Sequence, residues 1–146
     1  MKRFFDSSVL IPAFYKFDAN HDSSAEALHS ASRDDSFCAL RTLGEVYAVL
    51  TGLPVRPRIT GPDGIAILKQ IREKLTIISL SEEEYVSAIQ SVSETIVGGA
   101  AYDALIARCA IKAQADVLLT WNTRDFTRFG SDIARIVQTP IQFLTP

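Results

Sequence analysis

Cysteine is scarce: Cys38 and Cys109 are the only two, and both stand in apolar surroundings, SFCAL and ARCAI. Two isolated thiols supply neither a disulfide framework nor the paired spacing of a zinc site, so they read as reduced core residues. Nucleotide-binding glycine patterns are missing too. Gly98-Gly99 is not followed by Lys-Ser or Lys-Thr, which excludes a P-loop, and no G-x-G-x-x-G occurs. The first turn reads Asp6-Ser7-Ser8, without the second Asp that an Asp-x-Asp phosphotransferase needs. No apolar run approaches membrane-spanning length, and MKRFFDSS lacks the apolar region of a signal peptide. The expected protein is soluble and cytoplasmic, with no membrane partner. Neither charge sign dominates: 15 Lys and Arg face 17 Asp and Glu, for a formal net charge of −2. No global basic field therefore advertises nucleic-acid binding. Acids clustered around a metal would, however, disguise a local basic patch.

What is present suits one globular domain, expected over residues 1–146. The chain is 47% hydrophobic and 22% charged, and 146 residues can bury a self-sufficient core. Repeats, linkers and low-complexity stretches are absent. Short apolar runs alternate with amphipathic ones. Strands are expected at Lys2 to Phe5, Ser36 to Leu40, Thr76 to Leu80 and Asp116 to Thr120, with further strands at Ile133 to Val137 and Ile141 to Leu144. Between them lie predicted helices. One runs from Ser8 to about Tyr15, and one starts from an Asp22 or Ser23 cap. Another covers Thr42 to Leu50, and one opens at Pro62-Asp63-Gly64. The next is a Ser81 capping-box helix ending near Val97, followed by Ala101 to Ala115 and a short Arg124 to Phe129. This alternation predicts an α/β fold, a three-layer α/β/α sandwich around a mostly parallel central sheet.

Four acids do not fit a solvated surface. Asp6 ends the leading strand, where open α/β sheets bind ligands; an N-cap is its simpler role. Glu45 shares a helical face with Thr42, Ala48, Val49 and Gly52, which points it inward, unless it reaches past the edge of the stripe to water. Asp103 lies on a face with Ala100, Ile106, Ala107 and Ala110. As a first-turn Asp it also suits the helix dipole. The preceding Gly-Gly-Ala-Ala fits close approach of helix and sheet. Asp125 stands three residues after Asn122, the spacing of a capping box. Thr120 and Asn122 add hydroxyl and amide oxygens past the strand end. Carboxylates gathered at one rim repel at roughly 4 kcal/mol per pair at ~4 Å and an effective dielectric near 20. Such a set calls for a divalent cation, and all-oxygen ligands select Mg²⁺ or Mn²⁺ over zinc. His21 and His29 read as surface residues. Glu82, Glu83 and Glu84 read as cap chemistry. The loop from Gly52 to Gly61 carries Arg56 and Arg58, either a stiff connection or a basic lip.

These strings resemble the PIN-domain family, and most of all its VapC-type ribonuclease toxins of toxin–antitoxin pairs. FFDSSVLI is similar to the opening strand with the first catalytic Asp, here Asp6, followed by a hydroxyl residue, Ser7. LRTLGEVYAVLTGLP is similar to the second block and places the catalytic Glu at Glu45. GGAAYDALIARCA, the most specific match, places the third acid at Asp103, and LLTWNTRDFTRF is similar to the fourth block. One position departs: Asn122 stands where many members carry Asp, which leaves Asp125 as the remaining acid.

The resemblance implies a Mg²⁺- or Mn²⁺-dependent endoribonuclease whose ions are held by Asp6, Glu45 and Asp103, with Asp125 in support. It implies cleavage that leaves a 5′-phosphate and a 3′-hydroxyl on structured RNA such as tRNA or rRNA, a homodimer, and a cognate antitoxin. Ser7, Thr120 and Asn122 would orient water or phosphate. Arg56 and Arg58, with Arg124 and Arg128, would steer the RNA backbone. A DNA-directed nuclease and a non-catalytic nucleic-acid-binding module are the alternatives on the same fold.

Overall fold

The computed structural model describes residues 1–146. Five short strands form one sheet: β1 (Arg3–Phe5), β2 (Ser36–Ala39), β3 (Thr76–Ile78), β4 (Val117–Leu119) and β5 (Val137–Gln138). Their order is β3-β2-β1-β4-β5, and every pair is parallel. β1, β2 and β4 read RFF, SFCA and VLL, the near-continuous apolar runs of a sheet covered on both faces.

Phe4 and Phe5 show how the layers divide. Successive side chains of a strand point to opposite faces, and both rings are fully buried. Phe5 enters a cluster with Val9 and Leu10 of α1 (Ser7–Ala13), Ala27 and Leu28 of α2 (His21–His29), Val46 and Leu50 of α3 (Leu40–Gly52) and Ile71 of α4 (Gly61–Lys74). Phe4 enters the other, with Ile106, Ala107 and Ala110 of α6 (Ala100–Lys112), Phe126 of α7 (Thr123–Thr127) and Ile133 of α8 (Ser131–Ala134). The α/β/α sandwich is therefore as expected. On the Phe4 side α5 (Glu82–Val92) lies against α6, and on the other α9 (Pro140–Leu144) lies against α2.

Helix starts follow local chemistry where the sequence offers it. Thr60–Asp63, Ser81–Glu84 and Thr139–Gln142 each form a complete capping box. α4 also needs a small residue: a Cβ on Gly64 would stand 2.7 Å from the Tyr47 ring and 2.9 Å from Thr51 of α3.

The C-terminal expectations need correction. Ile133 to Val137 is not one strand; Ile133 belongs to α8 and only Val137–Gln138 pairs with β4. Ile141 to Leu144 is helix α9. Pro140 has no amide to give a ladder and its fixed φ suits the first helical turn, and Thr139 and Gln142 complete the cap. α5 stops at Val92, short of Val97, and α2 begins at His21.

The order of strands locates the important edge. From β1 the chain winds outward through β2 to β3, then returns to β4 on the other side of β1. The winding of the chain reverses between β1 and β4, and doubly wound sheets open a crevice beyond the strand ends at such a point. Asp6 and Thr120 are the residues that follow β1 and β4.

Candidate active site at the β1 and β4 strand ends

Asp6 is 4% exposed. Its backbone amide continues the sheet by donating to the Leu119 carbonyl at 3.0 Å. It stands at the N-cap of α1, yet its side chain makes no capping bond. Oδ2 accepts instead from the Ser8 hydroxyl at 2.7 Å and the Thr120 hydroxyl at 2.8 Å. Those hydroxyls are themselves fixed. Ser8 Oγ accepts the Trp121 amide at 3.0 Å, and Thr120 Oγ1 accepts the Asn122 amide at 3.0 Å. A hydroxyl has one proton, so when both point at Asp6 the 3.2 Å approach of Ser8 to Thr120 carries no proton. Two relays thus run from the backbone after β4 to one carboxylate oxygen, leaving Oδ1 free of hydroxyl partners. Burial raises the Asp6 pKa, and the Ser8 and Thr120 bonds oppose that rise.

Asp103, half-buried in the first turn of α6, is pushed up to about 6. Burial is the largest cause; the charges of Asp6, Asp125 and Glu45 add to it, and Arg128 partly offsets them. Carboxylates from four separate segments therefore share one electrostatic space. Gly98 and Gly99 do not bring α6 close to the sheet, since a Cβ on either would meet nothing within 4 Å. What Gly98 supplies is a left-handed turn, at φ +69°.

Glu45 is exposed, not inward. The buried positions of α3 are Thr42, Val46 and Leu50, and Ala48, Val49 and Gly52 on the Glu45 side are exposed with it. Small apolar neighbours there mark an open helix face rather than a core face. One turn earlier, Thr42 Oγ1 is buried with no hydrogen-bond partner.

Asp125 is exposed, and the expected capping box with Asn122 is absent. Asn122 holds the N-cap position of α7 without a side-chain capping bond, and its own amide goes to Thr120. The Asp125 charge adds to the rise at Asp103.

Ser8, rather than Ser7, is the hydroxyl on Asp6. The Ser-Ser doublet signalled a hydroxyl without saying which one. Trp121 ties the same strand end to α2, its indole donating to Ser24 at 2.9 Å. Arg124 is exposed on α7. Arg56 and Arg58 lie beyond the end of α3, roughly 12 Å along the helix from Glu45, and Arg56 lines a separate cleft of about 550 Å³ with Tyr15, Lys16, Phe17 and His21. His29 is exposed, while His21 is half-buried and bonds the Pro12 carbonyl through Nδ1.

The donors fit a hard cation in kind, being carboxylate and hydroxyl oxygens. As the side chains stand, no three of the chain's His, Cys, Asp and Glu converge closely enough to hold an ion. That spacing excludes a ready-made protein cage. It is compatible with Mg²⁺, which keeps several waters and takes only one or two carboxylates. None of the five surface cavities is lined by Asp6, Glu45, Asp103 or Asp125, so the acids face an open rim.

The chain matches the PIN domain family over residues 3–131. Ribonuclease VapC27 of Mycobacterium tuberculosis is 31% identical over 112 residues, 77% of this chain and 79% of that protein. Among solved structures, VapC20 of M. tuberculosis, a sarcin–ricin loop cleaving toxin, superposes with a TM-score of 0.66 at 15% identity, covering 85% of this chain and 92% of that one. VapBC-1 of nontypeable Haemophilus influenzae gives 0.66 at 18%, over 97% and 99%. VapBC2 of Rickettsia felis, bound to a promoter DNA fragment, gives 0.64 at 19%, over 95% and 98%. These structural likenesses concern the fold.

Proposed function

From the premise that this chain belongs to the PIN-domain family, among its VapC-type ribonucleases, we propose that it is a divalent-metal-dependent endoribonuclease, the toxin of a toxin–antitoxin pair. The observation that supports this reading is the negative charge gathered around Asp103. Burial first, then the charges of Asp6, Asp125 and Glu45, each from a different segment, push Asp103 up to about 6.

Asp6 and Asp103 would hold Mg²⁺ or Mn²⁺, with Glu45 and Asp125 supporting from the exposed side. When bound, such an ion acidifies a water and offsets negative charge on the phosphate oxygens. The chain's own contribution is placement. Ser8 and Thr120 fix the Asp6 carboxylate so that Oδ1 is presented from one orientation. Asp103 lacks a hydrogen-bonded cation, so its charge is available to a ligand. The Asn122 side chain, free of its cap, donates to a phosphate oxygen. Arg128 and Arg124 bring positive charge to the α7 side. Arg56 and Arg58, at the far end of α3, would meet only a long substrate.

An open rim suits a polymer, and structured RNA such as tRNA or rRNA is the substrate class proposed. A homodimer working in the cytoplasm and a cognate antitoxin that blocks the acidic edge complete the reading; two of the similar structures are VapBC complexes. No helix is long and apolar enough to cross a membrane.

Matched RNA and DNA substrates, digested with and without Mg²⁺ or Mn²⁺, test the proposal. RNA cleavage that needs the ion and falls by about 100-fold or more in Asp6→Asn supports it. Full activity in the folded Asp6→Asn protein refutes the site. Cleavage of DNA alone would move the chain to the DNA-directed alternative.

A further inference from the structure

One arginine near the site stacks on an aromatic ring and makes no ion pair in the chain. Arg41 lies in the first turn of α3, one turn before Glu45, and Tyr102 immediately precedes Asp103 in α6. Their side chains meet: the Arg41 guanidinium carbon lies 3.6 Å from the Tyr102 ring centroid. α3 packs on the Phe5 side of the sheet and α6 on the Phe4 side, so the stack bridges the two helices that carry Glu45 and Asp103. Both residues are exposed, Tyr102 by 46%.

Arg41 forms no ion pair with Glu45, one turn on, or with Asp103, the residue after Tyr102. The ion pairs of the chain are Arg3–Asp35, Lys112–Glu84 and Arg135–Asp132. Glu45 is four residues on, but Arg before Glu is the poorer order for a helical pair. Three other arginines are committed to protein acceptors: Arg3 to Ser30 and the Ala27 carbonyl, Arg33 to the carbonyls of Arg72 and Leu75, Arg128 to the Asp125 carbonyl. Arg41 has a ring under its plane and its N–H edge unspent.

An acidic edge repels phosphate, so a polyanion that reaches it needs a cation already in place. A stacked guanidinium meets that need at low entropic cost. Its plane is held by the ring, while its fork can give two parallel hydrogen bonds to a phosphate. We propose that Arg41, laid flat on Tyr102, is a substrate-positioning residue that grips an RNA backbone phosphate adjacent to the scissile one. The assignment rests on the ribonuclease reading above.

Steady-state cleavage of a fluorescein-labelled RNA hairpin pool with randomised loops, in Mn²⁺ buffer at several salt concentrations, tests it on the full chain. Arg41→Ala is expected to raise KM about tenfold with kcat within about twofold, and to lower the salt slope by about one. Arg41→Lys recovers only part of the loss, because it restores charge without the planar fork. Tyr102→Ala raises KM as well, and Tyr102→Phe restores what Tyr102→Ala loses. Thermal melts of these exposed-site variants should match wild type. An Arg41→Ala protein with wild-type KM and salt slope overturns the assignment, even if it binds an acidic protein partner less well. A loss confined to kcat overturns it too. A wild-type chain that cleaves no RNA overturns the ribonuclease reading and this assignment together.

Discussion

Glu84 and Asp103 both sit in the first turn of a helix, on neighbouring helices of one layer, and their surroundings drive them in opposite directions. Glu84 receives Lys112 at 2.7 Å and the Ser81 amide at 2.8 Å, and its pKa falls to about 2, Lys112 being the first cause. Asp103 has no such partner. Burial and three neighbouring carboxylates push it up to about 6. The helix dipole favours both acids equally, so it does not explain the difference. An acid that completes a cap has found its cation and its donors within the fold. An acid held among other acids is a destabilising arrangement of the kind that clusters at functional sites.

The largest expected effect follows from that contrast. Asp103→Asn should cut metal-dependent RNA cleavage by about 100-fold or more while raising metal-free stability at pH 7.5. The sign is fixed by linkage. A carboxyl raised from 3.8 to about 6 binds more proton folded than unfolded between those values, so stability falls as pH rises through about 4 to 6. Asn removes that loss, a gain on the order of 1 kcal/mol once screening of a half-exposed group is discounted. Thermal melts of both proteins at pH 4 and pH 7.5 measure it; a drop in stability for Asp103→Asn at pH 7.5 would break the comparison.

Thr120→Val comes next. It removes one of the two hydroxyls on buried Asp6 and the acceptor of the Asn122 amide. The expected cost is about 1–3 kcal/mol, read by denaturant unfolding, with weakened cleavage. The smallest effect is expected from Glu84→Gln. Cleavage stays at the wild-type rate, and the melting temperature drops slightly at neutral pH. That difference closes as pH falls from about 4.5 to 2, where Glu84 itself is protonated.

How far the sequence could be read follows the same division. The place of Asp6 after a strand, that of Asp103 in a first helical turn, and the covered strands were legible because each lies in a local string with its own pattern. The relation between distant segments was not. Strand order, and with it the reversal between β1 and β4, depends on which apolar runs pair, and all of them look alike. Ser7 and Ser8 are chemically identical, and only the entry of the chain into α1 selects Ser8. Glu45 lies among small apolar residues, which suggested a core face; packing leaves that face open. The tail Thr139-Pro140-Ile141-Gln142 did contain a helix start, which the apolar residues around it masked. Arg41 and Tyr102 meet only in the folded chain, and neither stands out alone.

The most direct measurement is the pKa of Asp103 by NMR of its carboxyl carbon, first without divalent ion and then with saturating Mg²⁺. A value near 6 that falls well below its metal-free position when Mg²⁺ is added is the predicted result. An ordinary carboxylate value without metal, unmoved by Mg²⁺, would contradict the claim that these acids share a charged space awaiting a cation.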